Sequence, residues 1–165
     1  MPKSPFDGLQ AEDIMQRDVV VCGPQDSLSE AMELMTENHV TGLPVMDSKA
    51  RCVGLISTTD ILNYEQEHSE FAAEANDDVA RHFDAEKQRW ESVRVSSFAL
   101  EEFGDVHVKE VMTRELLSVD RDTPVKQVAK LMVESAVHRV LVLSEQRGLQ
   151  GLVSSIDFVR VVAES

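Results

Sequence analysis

Hydrophobic and polar positions alternate between two periods along this chain. Val19-Val20-Val21-Cys22, Leu43 to Met46 and Cys52 to Ile56 are short apolar runs bounded by polar turns, the pattern of buried strands. Between the first two runs, Leu28, Ala31, Met32, Leu34 and Met35 recur at helical spacing behind Asp26-Ser27, which offers an N-cap. A short helical lead-in, Ala11 to Met15, precedes the first strand, and a further helix follows the stretch Gly54-Leu55-Ile56-Ser57-Thr58-Thr59-Asp60. The predicted order is helix, strand, helix, strand, strand, helix.

The same order returns later. Sliding the chain so that Gly54 falls on Gly151 aligns residues 6–62 with 103–159 without a gap. Ile14-Met15 then meets Val111-Met112, Leu34-Met35 meets Leu131-Met132, and Val45 meets Val142. The second copy has a lead-in at Val108 to Met112, a strand at Leu116-Leu117-Ser118-Val119 and a helix opened by Thr123-Pro124. Val125, Val128, Leu131 and Met132 form the apolar face of that helix, and the strands Val140 to Leu143 and Leu149 to Val153 follow. A unit of this size is marginal alone, so the two copies are expected to bury their sheets against each other, with a cleft across a pseudo-twofold axis. The expected architecture is α+β, with repeats at 6–64 and 103–165.

Residues 65–102 belong to neither copy. Phe71, Ala75, Val79, Phe83 and Trp90 recur at spacings of four and seven, which predicts an amphipathic helix continuing the one begun at Thr59. Acids outnumber bases there, and the expected arrangement is a helix packed on the body with a solvated acidic face; a dimer or partner contact is the alternative.

Each copy closes its strands on a hydroxyl and a carboxylate three residues apart, Ser57 with Asp60 and Ser154 with Asp157. Such a pair sits on the first turn of a helix, where it can bind the vicinal hydroxyls of a ribose or serve only as a capping box.

Charge and composition narrow the function classes. Thirty acids against sixteen bases give a net charge of −14 in 165 residues, which repels phosphate backbones and anionic membranes. No apolar run approaches the roughly 20 residues of a membrane span, and no signal-peptide core follows Met1, so a cytoplasmic location is expected. Cys22 and Cys52 align with Val119 and Leu149 and read as core residues, not as metal ligands or a disulfide. His68, His82 and His107 lack ligand spacing and are expected at the surface. With no glycine-rich phosphate loop, no nucleophile beside a base and no metal cluster in the sequence, an enzyme is not expected.

Two tandem units, each opening on a Val/Ile-Met pair and ending in Gly-hydrophobic-hydrophobic-Ser-x-x-Asp, resemble the CBS-domain pair, or Bateman module. The resemblance covers everything except the middle segment. It implies a pseudo-twofold pair of β-α-β-β-α units with two cleft sites for adenosine-type ligands, commonly AMP, ADP, ATP or S-adenosylmethionine. It also implies a regulatory role and frequent dimerisation into a disc, hence a homodimer whose output passes to a separate target protein or through the middle segment.

The resemblance further implies that each site is shared between repeats. In the first, Ser57 and Asp60 would hold the ribose, Leu116, Leu117 and Thr123 would line the adenine side, and Val137-His138-Arg139 would reach the phosphate. The mirror site would use Ser154 and Asp157 with Val19, Val20 and the loop Val40-Thr41-Gly42. Asp26 stands there in place of Thr123, and Thr41-Gly42 in place of His138-Arg139, so a phosphate is expected to bind less well at this second site. The rival expectation is a dimerising scaffold with vestigial sites.

Overall fold

The computed structural model describes residues 3–68, 83–84, 89–90 and 105–165. The first repeat consists of α1 (Ala11–Ile14), α2 (Leu28–Glu37), the antiparallel hairpin β1 (Gly42–Met46) and β2 (Cys52–Ser57), and α3 (Thr58–His68). Later in the chain, β3 (Phe83–Asp84) pairs antiparallel with β4 (Arg89–Trp90). The second repeat has α4 (Val108–Val111), β5 (Ser118–Val119), α5 (Val125–Glu134), the hairpin β6 (Arg139–Leu143) and β7 (Leu149–Ser154), and α6 (Ser155–Glu164). This is the expected α+β tandem repeat.

Local chemistry explains the boundaries. Ser27 caps α2 through a reciprocal box: its Oγ accepts from the Glu30 amide at 3.1 Å, and the Glu30 carboxylate accepts from the Ser27 amide at 2.8 Å. Pro124 occupies the equivalent position before α5 and needs no donor there. Beneath these helices lie Leu28, Ala31 and Met35 in one repeat and Val125, Val128 and Met132 in the other, all buried.

The first strand of each repeat is shorter than its apolar run suggests. Val19 to Cys22 contributes a single parallel bridge, Cys22 to Val45, and Leu116 to Val119 contributes only Ser118–Val119 against β6. The preceding residues instead follow the lead-in helix over to the other repeat. Gln16 exchanges two backbone hydrogen bonds with Leu152 (2.8 and 3.0 Å), and Thr113 exchanges two with Leu55 (2.8 and 2.9 Å).

The lead-in helices are in fact exchanged. Ala11, Ile14 and Met15 pack among Val125, Val128, Met132, Val140 and Val153 of the second repeat. Val108 and Met112 complete the core built by Leu28, Met35, Leu43, Val45 and Ile56 of the first. A third cluster, Cys52 with Leu141 and Leu143, joins the two sheets. Both cysteines are free and buried, as their alignment with Val119 and Leu149 led one to expect.

The middle segment departs from expectation at two of its apolar positions. α3 continues to His68, but Phe83 and Trp90 are paired backbone positions of a two-stranded antiparallel ladder and do not share a helix. Aromatic residues favour extended backbone, and a spacing of seven suits a hairpin register as well as two helical turns. Phe71, Ala75 and Val79 lie outside the described residues, as does His82. His68 is exposed as expected, whereas His107 is half-buried, its Nδ1 lying 2.8 Å from the carbonyl of Gln25.

Candidate functional site

The two hydroxyl–carboxylate pairs form at the expected places, each where the second strand of a hairpin runs into a helix. Asp60 Oδ2 accepts from the Ser57 amide (2.9 Å) and hydroxyl (2.8 Å), while Ser57 Oγ accepts from the Asp60 amide at 3.1 Å. Asp157 Oδ2 accepts from the Ser154 amide (2.8 Å) and hydroxyl (2.9 Å) in the same way. Both pairs therefore cap their helices, whatever else they do.

The remaining carboxylate oxygens differ. Asp157 Oδ1 accepts from Gln16 Nε2 at 2.7 Å and from Arg160 Nη1 at 3.0 Å, so all four lone-pair positions are used and the residue is 1% exposed. Asp60 Oδ1 faces only the Thr113 hydroxyl, at 3.4 Å, and Asp60 is half-buried. Position 63, the equivalent of Arg160, is Asn63. Asp60 thus has spare acceptor capacity that Asp157 lacks.

A cavity of about 520 Å³ opens beside Ser154, within the range of small-molecule sites. Val19, Val20 and Val40 supply apolar wall from the first repeat, and Leu152 adds to it from the second. Its polar lining comes from Gln16, Asp18, Asn38 and His39. Gly42 and Arg139 complete it. His39 turns the chain at φ 54°, and its repeat equivalent Ala136 does the same at φ 51°.

Arg139 is the main departure from the sequence-based grouping. It was expected with Ser57 and Asp60, yet it lines the cavity with Ser154, Val19, Val20, Val40 and Gly42, and its Nη2 donates to Thr41 Oγ1 at 2.6 Å. The reason is hairpin register. Arg139 stands directly opposite Ser154 and Gly42 directly opposite Ser57, and residues opposed in an antiparallel pair share a face. A cation at position 139 is thereby brought beside the serine of its own hairpin.

Other expected groupings also separate. Leu116 packs on the Cys52, Leu141 and Leu143 cluster, whereas Leu117 and Val137 pack on the core built around Val125 and Val153. The Thr123 carbonyl accepts from the Ala11 amide at 2.8 Å, and the Asp26 carbonyl accepts from the Val108 amide at 2.8 Å, so both anchor the exchanged helices. Asp26 does not confront a phosphate in the cavity as expected: its carboxylate accepts from the Gly23 amide at 2.8 Å and is not part of the lining. His138 is exposed, and its carbonyl accepts from the Ser155 amide at 3.0 Å.

Sequence reasoning missed Gln16, Asp18, Asn38, His39, Leu152 and Thr113. The repeat carried a signal for three of these residues: Gln16 and Thr113 each follow the Val/Ile-Met pair, and Asp18 aligns with Glu115, so both copies have an acid there. Among the described residues there is no group of acids, histidines and cysteines able to hold a metal ion, and no helix is long and apolar enough to cross a membrane.

Comparison with known proteins agrees with this fold. The CBS domain family model matches residues 11–67 and 108–164. The chain is 27% identical over 158 residues to the uncharacterized protein MJ1426 of Methanocaldococcus jannaschii, covering 92% of this chain and 89% of that one. It is 26% identical to the chloroplastic CBS domain-containing protein CBSX1 of Arabidopsis thaliana, over 90% of this chain but 61% of that one. Among solved structures, CBSX2 in complex with AMP superposes with a TM-score of 0.69 at 24% identity, covering 95% of this chain and 98% of its own. The CBS domain pair of MJ0100, in complex with 5'-methylthioadenosine and S-adenosyl-L-methionine, gives a TM-score of 0.63 at 21% identity, covering 94% and 97%. Two matches to one family model, spanning more than half of the residues and falling on the two exchanged repeats, show that this chain belongs to the CBS domain family.

Proposed function

We propose that the protein is a non-catalytic regulatory sensor that binds an adenine nucleotide, AMP, ADP or ATP, in the cavity beside Ser154. The observation that carries this reading is the Arg139 guanidinium on the rim of an apolar-walled cavity in a strongly acidic protein. Val19, Val20 and Val40 offer faces for an adenine ring, and the planar fork of Arg139 suits a phosphate. Ser154 Oγ and the Asp18 carboxylate are the groups available to ribose hydroxyls, while Asp157, with its lone pairs occupied, holds Ser154 in place. CBSX2 in complex with AMP has the same fold, which supports the ligand class.

The cavity draws its walls from both repeats, so a bound nucleotide favours whichever relative position of the repeats it binds better. The output then passes to a separate target protein. Ile156, Val159 and Val162 leave an apolar row exposed on α6, which supports self-association as a homodimer.

Thermal melting against a ligand panel tests the assignment. Ligand at a hundredfold over its Kd adds about 2.7 kcal/mol, a rise of roughly 5–10 °C for a chain of this size. AMP, ADP or ATP should give that rise, and Arg139→Gln should remove most of it. No response to any adenosyl compound would overturn the sensor reading and leave the dimerising scaffold.

Asp18 favours one second reading, a cationic adenosyl ligand of the S-adenosylmethionine type, whose positive charge its carboxylate would attract. In that case Asp18→Asn, and not Arg139→Gln, abolishes the shift.

A further inference from the structure

The turns that end α2 and α5 share a backbone and differ in side chains. In the first, the Val40 amide donates to the Met35 carbonyl at 3.0 Å and the His39 amide to the Thr36 carbonyl at 3.3 Å. In the second, the Val137 amide donates to the Met132 carbonyl at 3.0 Å and the Ala136 amide to the Val133 carbonyl at 3.2 Å, the same left-handed helix ending. Asn38 (φ −98°, ψ 3°) matches Ser135 (φ −92°, ψ −2°), and His39 (φ 54°) matches Ala136 (φ 51°). Serine and alanine therefore satisfy this turn, and nothing in its backbone calls for an amide and an imidazole. Asn38 and His39 do, however, line the cavity beside Ser154.

The chemistry of this corner suits a base. Among the described residues that line the cavity, His39 carries the one aromatic ring, next to the aliphatic wall of Val19, Val20 and Val40. Asn38 Nδ2 donates to the Leu34 carbonyl at 2.8 Å, so the donor end of the amide is held by the helix and Oδ1 is left to accept. The carbonyl end of α2 lies at the same corner and disfavours an anion there, which leaves the phosphate to Arg139. We propose that Asn38 and His39 are specificity-determining residues that read the base: His39 stacks on the purine, and Asn38 Oδ1 accepts from an exocyclic 6-amino group and repels a 6-oxo oxygen. The ligand class narrows to 6-aminopurine nucleotides. The Ser135-Ala136 turn carries neither an aromatic ring nor an amide. This inference rests on the nucleotide reading above and adds to it the residues that select the base.

Calorimetric titration of the full chain with AMP, IMP and adenosine tests the proposal. AMP should bind about tenfold more tightly than IMP. Asn38→Ser and His39→Ala each copy the other repeat, so both keep a turn that this fold already accommodates. Asn38→Ser should shrink the AMP-over-IMP ratio to about twofold, since a hydroxyl donates as readily as it accepts. His39→Ala should weaken AMP, IMP and adenosine alike by about tenfold, and His39→Phe, which keeps a stacking face, should recover most of that loss.

Equal affinity for AMP and IMP would overturn the proposal, as would a ratio unmoved by Asn38→Ser. So would a His39→Ala loss seen with AMP but not with adenosine, which would assign the imidazole to the phosphate, or a His39→Phe variant as weak as His39→Ala. A chain that binds neither AMP nor adenosine fails the nucleotide reading and this inference together. One that binds AMP and IMP equally fails this inference alone.

Discussion

Asp157 and Asp60 occupy equivalent positions and do unequal work. Asp157 is buried and ties together α6, Ser154, Gln16 of the exchanged segment and Arg160, so Asp157→Ala leaves several donors without an acceptor. It should lower stability by about 2–3 kcal/mol in urea unfolding. Asp60→Ala loses chiefly its helix cap and should cost about 1 kcal/mol. Equal losses would mean that the extra bonds to Gln16 and Arg160 contribute nothing. Cys22 makes a different residue-scale prediction. Burial, with a smaller contribution from the nearby Asp26 charge, pushes its thiol up to about 12 from an ordinary 9.0. A proton held more tightly in the folded state gives stability that is complete below the unfolded value and is lost as pH rises through the folded one. Stability should therefore fall between about pH 9 and 12, and Cys22→Val should flatten that fall. Which side chains share the cavity was only partly legible in the sequence. The repeat grouped Ser154 with Val19, Val20 and Val40, which line one cavity, but Arg139 joined them through hairpin register, which the motif spacing does not express. Asp18 was readable in principle from its alignment with Glu115.

At the scale of elements, the two halves of the repeated motif turn out to be partners. The methionine that ends each lead-in helix packs over the glycine that opens the closing strand stretch of the other repeat. A Cβ on Gly54 would come within 2.5 Å of Met112 Sδ, and one on Gly151 within 2.5 Å of Met15 Sδ and 2.8 Å of the Gln16 carbonyl oxygen. Gly54→Ala and Gly151→Ala should each cost about 1–3 kcal/mol through overpacking, read as a fall in melting temperature of roughly 2–4 °C per kcal/mol. Gly151→Ala should be the worse of the two, because its second neighbour is backbone and cannot rotate away. A variant that melts with the parent would remove this account of the motif. The helices and hairpins were largely legible because Leu28 to Met35, Val125 to Met132 and the paired strands keep clean periods. The first strands were overestimated, since an apolar run such as Val19 to Cys22 reads as strand whether it pairs with a neighbour or crosses to another core. Phe83 and Trp90 were misassigned because their spacing fits a hairpin as well as a helix.

For the whole molecule, the exchange of α1 and α4 means that neither repeat owns a complete core. Residues 3–68 alone lack Val108 and Met112 and keep an α1 with nothing to cover, and 105–165 alone lack Ala11, Ile14 and Met15. The intact chain should accordingly unfold in urea as one transition by circular dichroism, and each isolated half should be largely unfolded. Two separate transitions would contradict the shared core. The tandem α+β architecture was visible from the repeat alone, but the exchange was not, because a sequence aligned to itself records equivalence and is silent on which copy a segment leans against.

That crossing of the lead-in helices has a practical corollary. If the polypeptide is severed in the stretch between the repeats, each fragment holds the missing piece of the other, and mixing them should rebuild the fold without a peptide bond to connect them. Such a bisected version would be a ready-made complementation pair, silent as separate pieces and restored on encounter.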